Sequence, residues 1–108
     1  MTPIELFFAL MIGHAIADYP LQGDFLAKGK NHRNPIPGIA WWIILPAHAL
    51  IHGGAVWVVT GSSALGIAEV IIHCGIDWLK CDERTSFVTD QALHVACKVA
   101  WVLIAINT

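Results

Sequence analysis

Four long apolar stretches, separated by more polar segments, follow one another along the 108-residue chain. They predict helices over residues 4–19, 39–60, 63–80 and 87–106. At a rise of about 1.5 Å per residue, the second and fourth can cross a hydrocarbon core of about 30 Å, whereas the first and third are short for a full span. We therefore expect an all-α fold in which one domain, residues 1–108, forms a four-helix transmembrane bundle.

The composition agrees with a membrane protein. Hydrophobic residues make up 56% of the chain and charged residues 13%, against about 25% charged residues in soluble domains; the mean hydropathy is +0.65. The alternative is a small soluble helical bundle, whose very apolar surface would aggregate in water. The net charge of −2 gives no basic surface for a nucleic acid. Three cysteines without a C-x-x-C motif give neither a disulfide framework nor a zinc ribbon.

The basic residues indicate the orientation of the bundle. Most of them lie in the predicted loop 20–38 or around the short link after residue 80, whereas the link Gly61-Ser62 has no charge. The positive-inside rule makes that basic side cytoplasmic. We therefore expect both termini on the non-cytoplasmic side of a multi-pass protein in a bacterial inner membrane. Five of the six Lys and Arg residues define this side: Lys28, Lys30, Arg33, Lys80 and Arg84.

Each predicted helix contains one pair of metal-type residues spaced four apart. Such a pair projects from one face of an α-helix, and the predicted topology allows all four pairs to share the cytoplasmic half of the bundle. Imidazole and carboxylate together suit transition ions such as Zn, Mn or Fe. Eight donors exceed the four that one tetrahedral ion needs, which predicts one or two divalent ions. The pairs are His14 with Asp18, His48 with His52, His73 with Asp77, and Asp90 with His94.

Other interpretations of the histidines remain open from the pattern alone. Polar groups inside a membrane bundle can hydrogen-bond across helices and serve only as packing contacts. Haem ligated by His48 or His94 is a further alternative, although haem needs no carboxylates around it. The sequence lacks H-E-x-x-H, G-x-S-x-G, P-loop and G-x-G-x-x-G motifs, which excludes the mechanisms that depend on them.

Glu69 and Lys98 continue the paired faces of the third and fourth helices by one further turn. The two helices are antiparallel and closely linked, so residues whose numbers have a common sum lie at the same depth. Asp77 with Asp90, and Glu69 with Lys98, share one such sum. An unpaired charge inside a membrane costs a few kcal/mol or more, so we expect a Glu69–Lys98 ion pair beneath the metal layer. The alternative is that Lys98 extends to the interface.

Several motifs in order resemble an uncharacterised family of small bacterial and phage integral membrane proteins, a domain of unknown function. The resemblance extends over nearly the whole chain and implies the architecture more than an activity. It marks Gln22, Lys30 and Gln91 as motif positions. A looser similarity links the His/Asp pattern to membrane-bound metal-dependent hydrolases. The motifs are His14-Ala-Ile-Ala-Asp18-Tyr19-Pro20-Leu21-Gln22, then Lys30, His48, His52, His73-Cys-Gly-Ile-Asp77-Trp78-Leu79-Lys80, and Asp90-Gln91-Ala92-Leu93-His94.

We therefore expect a metal-dependent hydrolase that acts on a lipid-linked or phosphorylated substrate at the cytoplasmic membrane face. Asp18 and His14 would serve as ligands or as the general base. Lys30 and Arg33 would bind the anionic group, helped by Gln22 and Gln91, unless the basic residues only set the topology.

Two other classes of function stay open. One is a non-catalytic membrane factor with a structural metal, of the phage-encoded kind that acts on a host membrane protein. The other is transport or sensing of a divalent metal. The lipid bilayer is the one partner that the sequence implies, and the oligomeric state stays open.

Overall fold

The computed structural model describes all 108 residues and consists of five α-helices without a strand. The expected all-α class is confirmed. The bundle is elongated, with principal extents of 45 × 23 × 21 Å, a length that matches a bilayer with its headgroup regions, about 40–45 Å. The helices are α1 (Pro3–Asp18), α2 (Gly23–Gly29), α3 (Trp41–Thr60), α4 (Ser63–Cys81) and α5 (Phe87–Ile106).

The helix ends follow from local sequence signals. Thr2 and Glu5 form a capping box in front of α1, with Pro3 in the first turn. Ser62 and Ser86 cap α4 and α5 by accepting hydrogen bonds from the backbone three residues on. These signals explain why the predicted boundaries of the four long helices lie within two residues of the observed ones.

The predicted loop 20–38 contains a helix that the sequence interpretation omitted. Helix α2 is bent by 85° from α1 across a short break, and its Gly29 packs against Ile44 of α3. A helix of seven residues that begins and ends with glycine is too short to show helical periodicity, so the hydrophobic pattern gives no signal for α2.

Two helices, α3 and α5, are long and apolar enough to cross a membrane, and α1 with α2 qualifies as a third, broken span. Helix α4 contains Glu69, Asp77 and Lys80, which lower its apolarity. Large apolar side chains are nonetheless exposed all around the bundle, among them Ile4, Phe8, Trp42, Leu50, Val58 and Ile71. A protein that exposes this much apolar surface is suited to a lipid environment.

The interior is divided along its length. One end is an apolar cluster formed by Leu6, Leu10, Val56, Leu65, Trp101 and Val102. The nine buried charged and histidine residues lie towards the other end, together with the remaining four of the ten buried hydrophobic residues. The polar end coincides with the end of the bundle that carries the α1–α2 break and the α4–α5 link, so the fold places the candidate site there.

Helices α3 and α4 approach each other closely at Gly53 and Gly66. A Cβ atom on Gly53 would lie 2.7 Å from the Gly66 carbonyl oxygen, and a Cβ atom on Gly66 would lie 2.8 Å from the Gly53 carbonyl oxygen. Only glycine therefore fits at this crossing. Gly53 follows His52 directly, so the close approach also sets the depth at which the α3 histidines face α4.

Candidate metal centre

The four sequence pairs meet in one buried cluster between α1, α3, α4 and α5. All five histidines of the cluster are at most 5% exposed. Their rings pack against one another; the ring centroids of His52 and His73 lie 3.8 Å apart and those of His73 and His94 lie 4.3 Å apart. The structure thus brings together all eight predicted ligand residues: His14, Asp18, His48, His52, His73, Asp77, Asp90 and His94.

Asp18, at the end of α1, is one centre of the cluster. Its carboxylate lies 3.2 Å from His14 Nε2, 3.4 Å from His48 Nε2 and 2.9 Å from His52 Nε2. The i,i+4 spacing on α1 accounts for His14, and the spacing on α3 accounts for the other two. One carboxylate therefore gathers imidazoles from two helices.

Asp77 of α4 is the second centre. Its oxygens lie 3.4 Å from His48 Nε2, 3.3 Å from His73 Nε2 and 3.1 Å from His94 Nε2. Lys30 Nζ lies 2.9 Å from Asp77 Oδ2 and is the one lysine in contact with the cluster carboxylates. With the two other aspartates present, the cluster holds more acidic than basic groups, which favours binding of a cation.

Two groups of donor atoms lie close enough together to hold a metal ion. One comprises Asp18, His48, His52 and His73, and the other His73, Asp77 and His94; within each group all donor atoms lie within 4.8 Å of one another. His73 belongs to both groups. His14 and Asp90, which the sequence also marks as ligands, lie in neither group: His14 contacts Asp18, and Asp90 lies 3.5 Å from His94 Nε2.

The donor set fits a transition metal. His48 Nε2 and His73 Nε2 are buried, and although carboxylate oxygens lie 3.3–3.4 Å from them, neither nitrogen forms a hydrogen bond. A buried polar atom without a hydrogen bond is costly unless something else binds it. Four donors at about 2.1 Å from a tetrahedral ion lie about 3.4 Å apart. Within one donor group, the separation of His48 Nε2 from the Asp18 carboxylate, 3.4 Å, matches that spacing. The His/Asp cluster therefore offers donor types and donor separations that could hold a transition-metal ion.

Three motif residues surround the ligands. Lys30 donates to Gln22 Oε1 at 2.6 Å as well as to Asp77, and Gln22 Nε2 donates to the Asp18 carbonyl oxygen at 3.0 Å. On the opposite side, Gln91 Oε1 lies 3.3 Å from His14 Nε2. Hydrogen bonds of this kind orient ligands and are a regular part of metal sites.

A cavity of about 430 Å³ opens onto the cluster at the end of the bundle. The carboxylates of Asp18, Asp77 and Asp90 reach it, so an ion held by them can be approached from outside. Lys80 and Cys81 also line the cavity. The sequence indicated Lys80 only as one of the basic residues that define the cytoplasmic side, and it indicated no role for Cys81. Their positions three and four residues after Asp77 on one helix face were the available signal. The remaining lining residues are Tyr19, Gln22, Ala27, Lys30, Asn31, Glu83, Phe87 and Gln91.

Arg33 lies apart from this cavity. It donates to Asp82 Oδ1 at 3.2 Å in a network that joins the loop after α2 to the α4–α5 link. His32, the one histidine outside the cluster, lies 3.0 Å from the same oxygen and stacks on Trp78, while Arg84 lies 2.6 Å from Asp82 Oδ2. Arg84, His32 and Arg33 hold the pKa of the Asp82 carboxyl well below its usual range. The network fixes the segment that carries Lys30.

Glu69 and Lys98 face each other one turn beneath the cluster. Lys98 Nζ donates to Glu69 Oε1, and both side chains are at most 1% exposed. The structure therefore brings together the two residues that the antiparallel register placed at equal depth, and Lys98 does not extend to a membrane interface.

The chain belongs to the family described as "Protein of unknown function (DUF3307)", whose sequence model matches residues 6–108. This confirms the expected uncharacterised family. Comparisons with curated proteins and with solved structures gave no match.

Proposed function

We propose that this member of the DUF3307 family is an integral membrane metalloenzyme that hydrolyses a phosphorylated substrate at the cytoplasmic membrane face. The observation that carries the proposal is the pair of buried Nε2 atoms on His48 and His73, which form no hydrogen bond and lie among carboxylates that border an accessible cavity. Lys30 and Lys80 belong to the basic side of the protein, which supports a cytoplasmic position for this end of the bundle. All four long helices then lie in the membrane, and both termini lie on the non-cytoplasmic side.

The metal is a divalent transition ion such as Zn, Mn or Fe, as one or two ions, because the donors are imidazole and carboxylate. The group His73, Asp77 and His94 offers three protein donors, the number typical of a catalytic site that keeps a position for water or substrate. When bound, such an ion polarises a phosphoryl oxygen and acidifies a water molecule.

The protein side chains supply the remaining chemistry. Asp90 lines the cavity, lies outside both donor groups and has a buried Oδ1 without a hydrogen-bond partner. We assign it the general base that takes the proton from the attacking water; the sequence alone favoured Asp18 and His14 for that role. His14 instead orients Asp18, and Lys30 holds a phosphoryl oxygen by a charge-assisted hydrogen bond.

The direct test is hydrolysis of phosphate monoesters, phosphate diesters and pyrophosphates by metal-loaded protein in detergent. Asp90→Asn should lower the rate by about 10²–10⁴-fold, the contribution typical of a general base, while it retains metal. Asp24→Asn, at an exposed position of α2, is the matched control and should leave the rate unchanged. Metal-loaded protein that hydrolyses none of these substrates would overturn the assignment as a hydrolase.

One observation favours a second candidate, a non-catalytic membrane factor with a structural metal. The group Asp18, His48, His52 and His73 offers four protein donors, the number of a closed structural zinc site. In that case loss of a ligand would unfold the bundle rather than remove an activity. Transport of the ion is less favoured, because the apolar cluster around Leu10, Leu65 and Trp101 fills the far end of the bundle.

A further inference from the structure

The seam between α1 and α5 joins two different surfaces. At one end is the cavity beside the metal cluster, to which α1 contributes Asp18 and α5 contributes Gln91. At the other end is an apolar groove of about 260 Å³ between the same two helices. The groove is lined by Pro3, Ile4 and Phe7 of α1 and by Val99, Val102 and Leu103 of α5.

Helical spacing connects the two surfaces. Gln91, Val95, Val99 and Leu103 follow one another at intervals of four, and so form one ridge that runs obliquely along α5. Met11 of α1, four residues after Phe7, and Val95 of α5 are both half-buried. At a rise of about 1.5 Å per residue, the ridge from Gln91 to Leu103 extends about 18 Å along the helix axis. An apolar track therefore leads from the polar cavity towards the far side of the membrane.

The cavity is charged and the groove is apolar, which matches the charged headgroup and the hydrocarbon chain of an amphiphile. Lys30 and Lys80 both line the cavity and can hold a phosphate group. The groove is lined by apolar side chains only, and Val99 and Leu103 are 44% and 55% exposed, so a hydrocarbon chain can lie against them from the lipid side. A water-soluble phosphate would use the cavity and leave the seam without a role.

We infer that the substrate is a lipid phosphate whose headgroup lies in the cavity and whose hydrocarbon chain lies along the α1–α5 seam. This rests on the proposed function and narrows its substrate from phosphorylated compounds in general to amphiphiles. Hydrolysis then leaves the lipid alcohol on the seam and releases phosphate through the cavity.

Cys81 provides the test, because it lines the cavity. The full chain with Cys74→Ala and Cys97→Ala retains this single thiol. In metal-loaded protein that also carries Asp90→Asn, so that the probe is hydrolysed only slowly, n-dodecyl phosphate should slow the modification of Cys81 by a methanethiosulfonate reagent. Val99→Trp, which fills the groove and so removes apolar contact area for the chain, should raise the concentration of dodecyl phosphate needed for half-protection about tenfold. Ile71→Trp, at an exposed position of α4, should not change it.

Methyl phosphate, which has the phosphate group but no long hydrocarbon chain, is the control ligand. It should protect Cys81 only at much higher concentration, and equally in the parent and Val99→Trp proteins, which shows that the variant keeps its cavity. Equal protection by methyl and dodecyl phosphate, or no effect of Val99→Trp, would show that no hydrocarbon chain binds along the α1–α5 seam. Neither result would contradict the proposed metal site. A dimer that Val99→Trp dissociates would assign the groove to a second copy. Absence of bound metal in the parent would instead overturn the proposed function.

Discussion

Lys30 Nζ lies 2.9 Å from Asp77 Oδ2, although the two residues are 47 positions apart in sequence. The contact joins the end of α2 to the centre of the His/Asp cluster. Both side chains are mostly buried, 14% and 5% exposed. The contact ties α2 and its loop over the cavity, and it gives Asp77 a cationic neighbour.

Removing this lysine should destabilise the bundle. We expect Lys30→Met to lower the free energy of unfolding of the metal-free protein by about 3 kcal/mol, because it leaves a buried carboxylate without its cation. Lys28→Met, at an exposed position of α2 two residues before Lys30, should change it by no more than about 0.5 kcal/mol. Thermal or denaturant unfolding in detergent measures both. Equal effects of the two substitutions would show that the contact with Asp77 does not stabilise the fold.

The buried pair of Glu69 and Lys98 should show strong coupling. Either Glu69→Met or Lys98→Met should cost about 3–5 kcal/mol of stability, since each leaves one charge buried and unpaired. The double variant should be much less destabilised than the sum of the two, because it removes both charges. A double-mutant cycle from unfolding curves gives the coupling energy directly. Additive effects would mean that the two side chains do not interact.

The Asp82 network should make stability depend on acid pH. The folded-state pKa of this carboxyl is lowered from 3.8, first by Arg84 and then by His32 and Arg33. A lowered folded-state pKa means that the unfolded chain binds the proton more tightly, so the stabilisation is complete above about pH 4 and is lost as the pH falls through the folded value. The Tm difference between wild-type protein and Asp82→Asn, measured from pH 6 downwards, should therefore shrink below about pH 4. A constant difference would contradict the network.

The close approach of α3 and α4 at Gly53 and Gly66 gives a prediction for which another glycine of α4 serves as the control. Gly66→Ala should cost about 1–3 kcal/mol, because the new Cβ atom would meet the Gly53 carbonyl oxygen at 2.8 Å and separate α3 from α4. Gly75→Ala meets nothing within 4 Å and should stabilise the helix by about 0.5–1 kcal/mol. Thermal unfolding of the two variants measures the difference. If Gly66→Ala is as stable as Gly75→Ala, the close approach is not required.

The sequence predicted the parts of this molecule that depend on helical periodicity. The i,i+4 pairs show which residues share a helix face, and the antiparallel register of α4 and α5 places Glu69 opposite Lys98. Contacts that depend on the path of irregular segments cannot be predicted from the sequence. Examples are the contacts of Lys30 with Asp77 and of Arg33 with Asp82. The division of the ligands into two donor groups, with His14 and Asp90 outside them, depends on ring orientations that spacing does not determine.

Metal content of the purified protein tests the central claim most directly. After loading with Zn, Mn or Fe and removal of free ions, mass spectrometry should find about one or two equivalents in the parent. His73→Ala, which removes the histidine shared by both donor groups, should lose the metal and remain helical by circular dichroism. His32→Ala, at the one histidine outside the cluster, should retain it. A parent protein that binds none of these ions would contradict the account, and the cluster would then be a polar packing network.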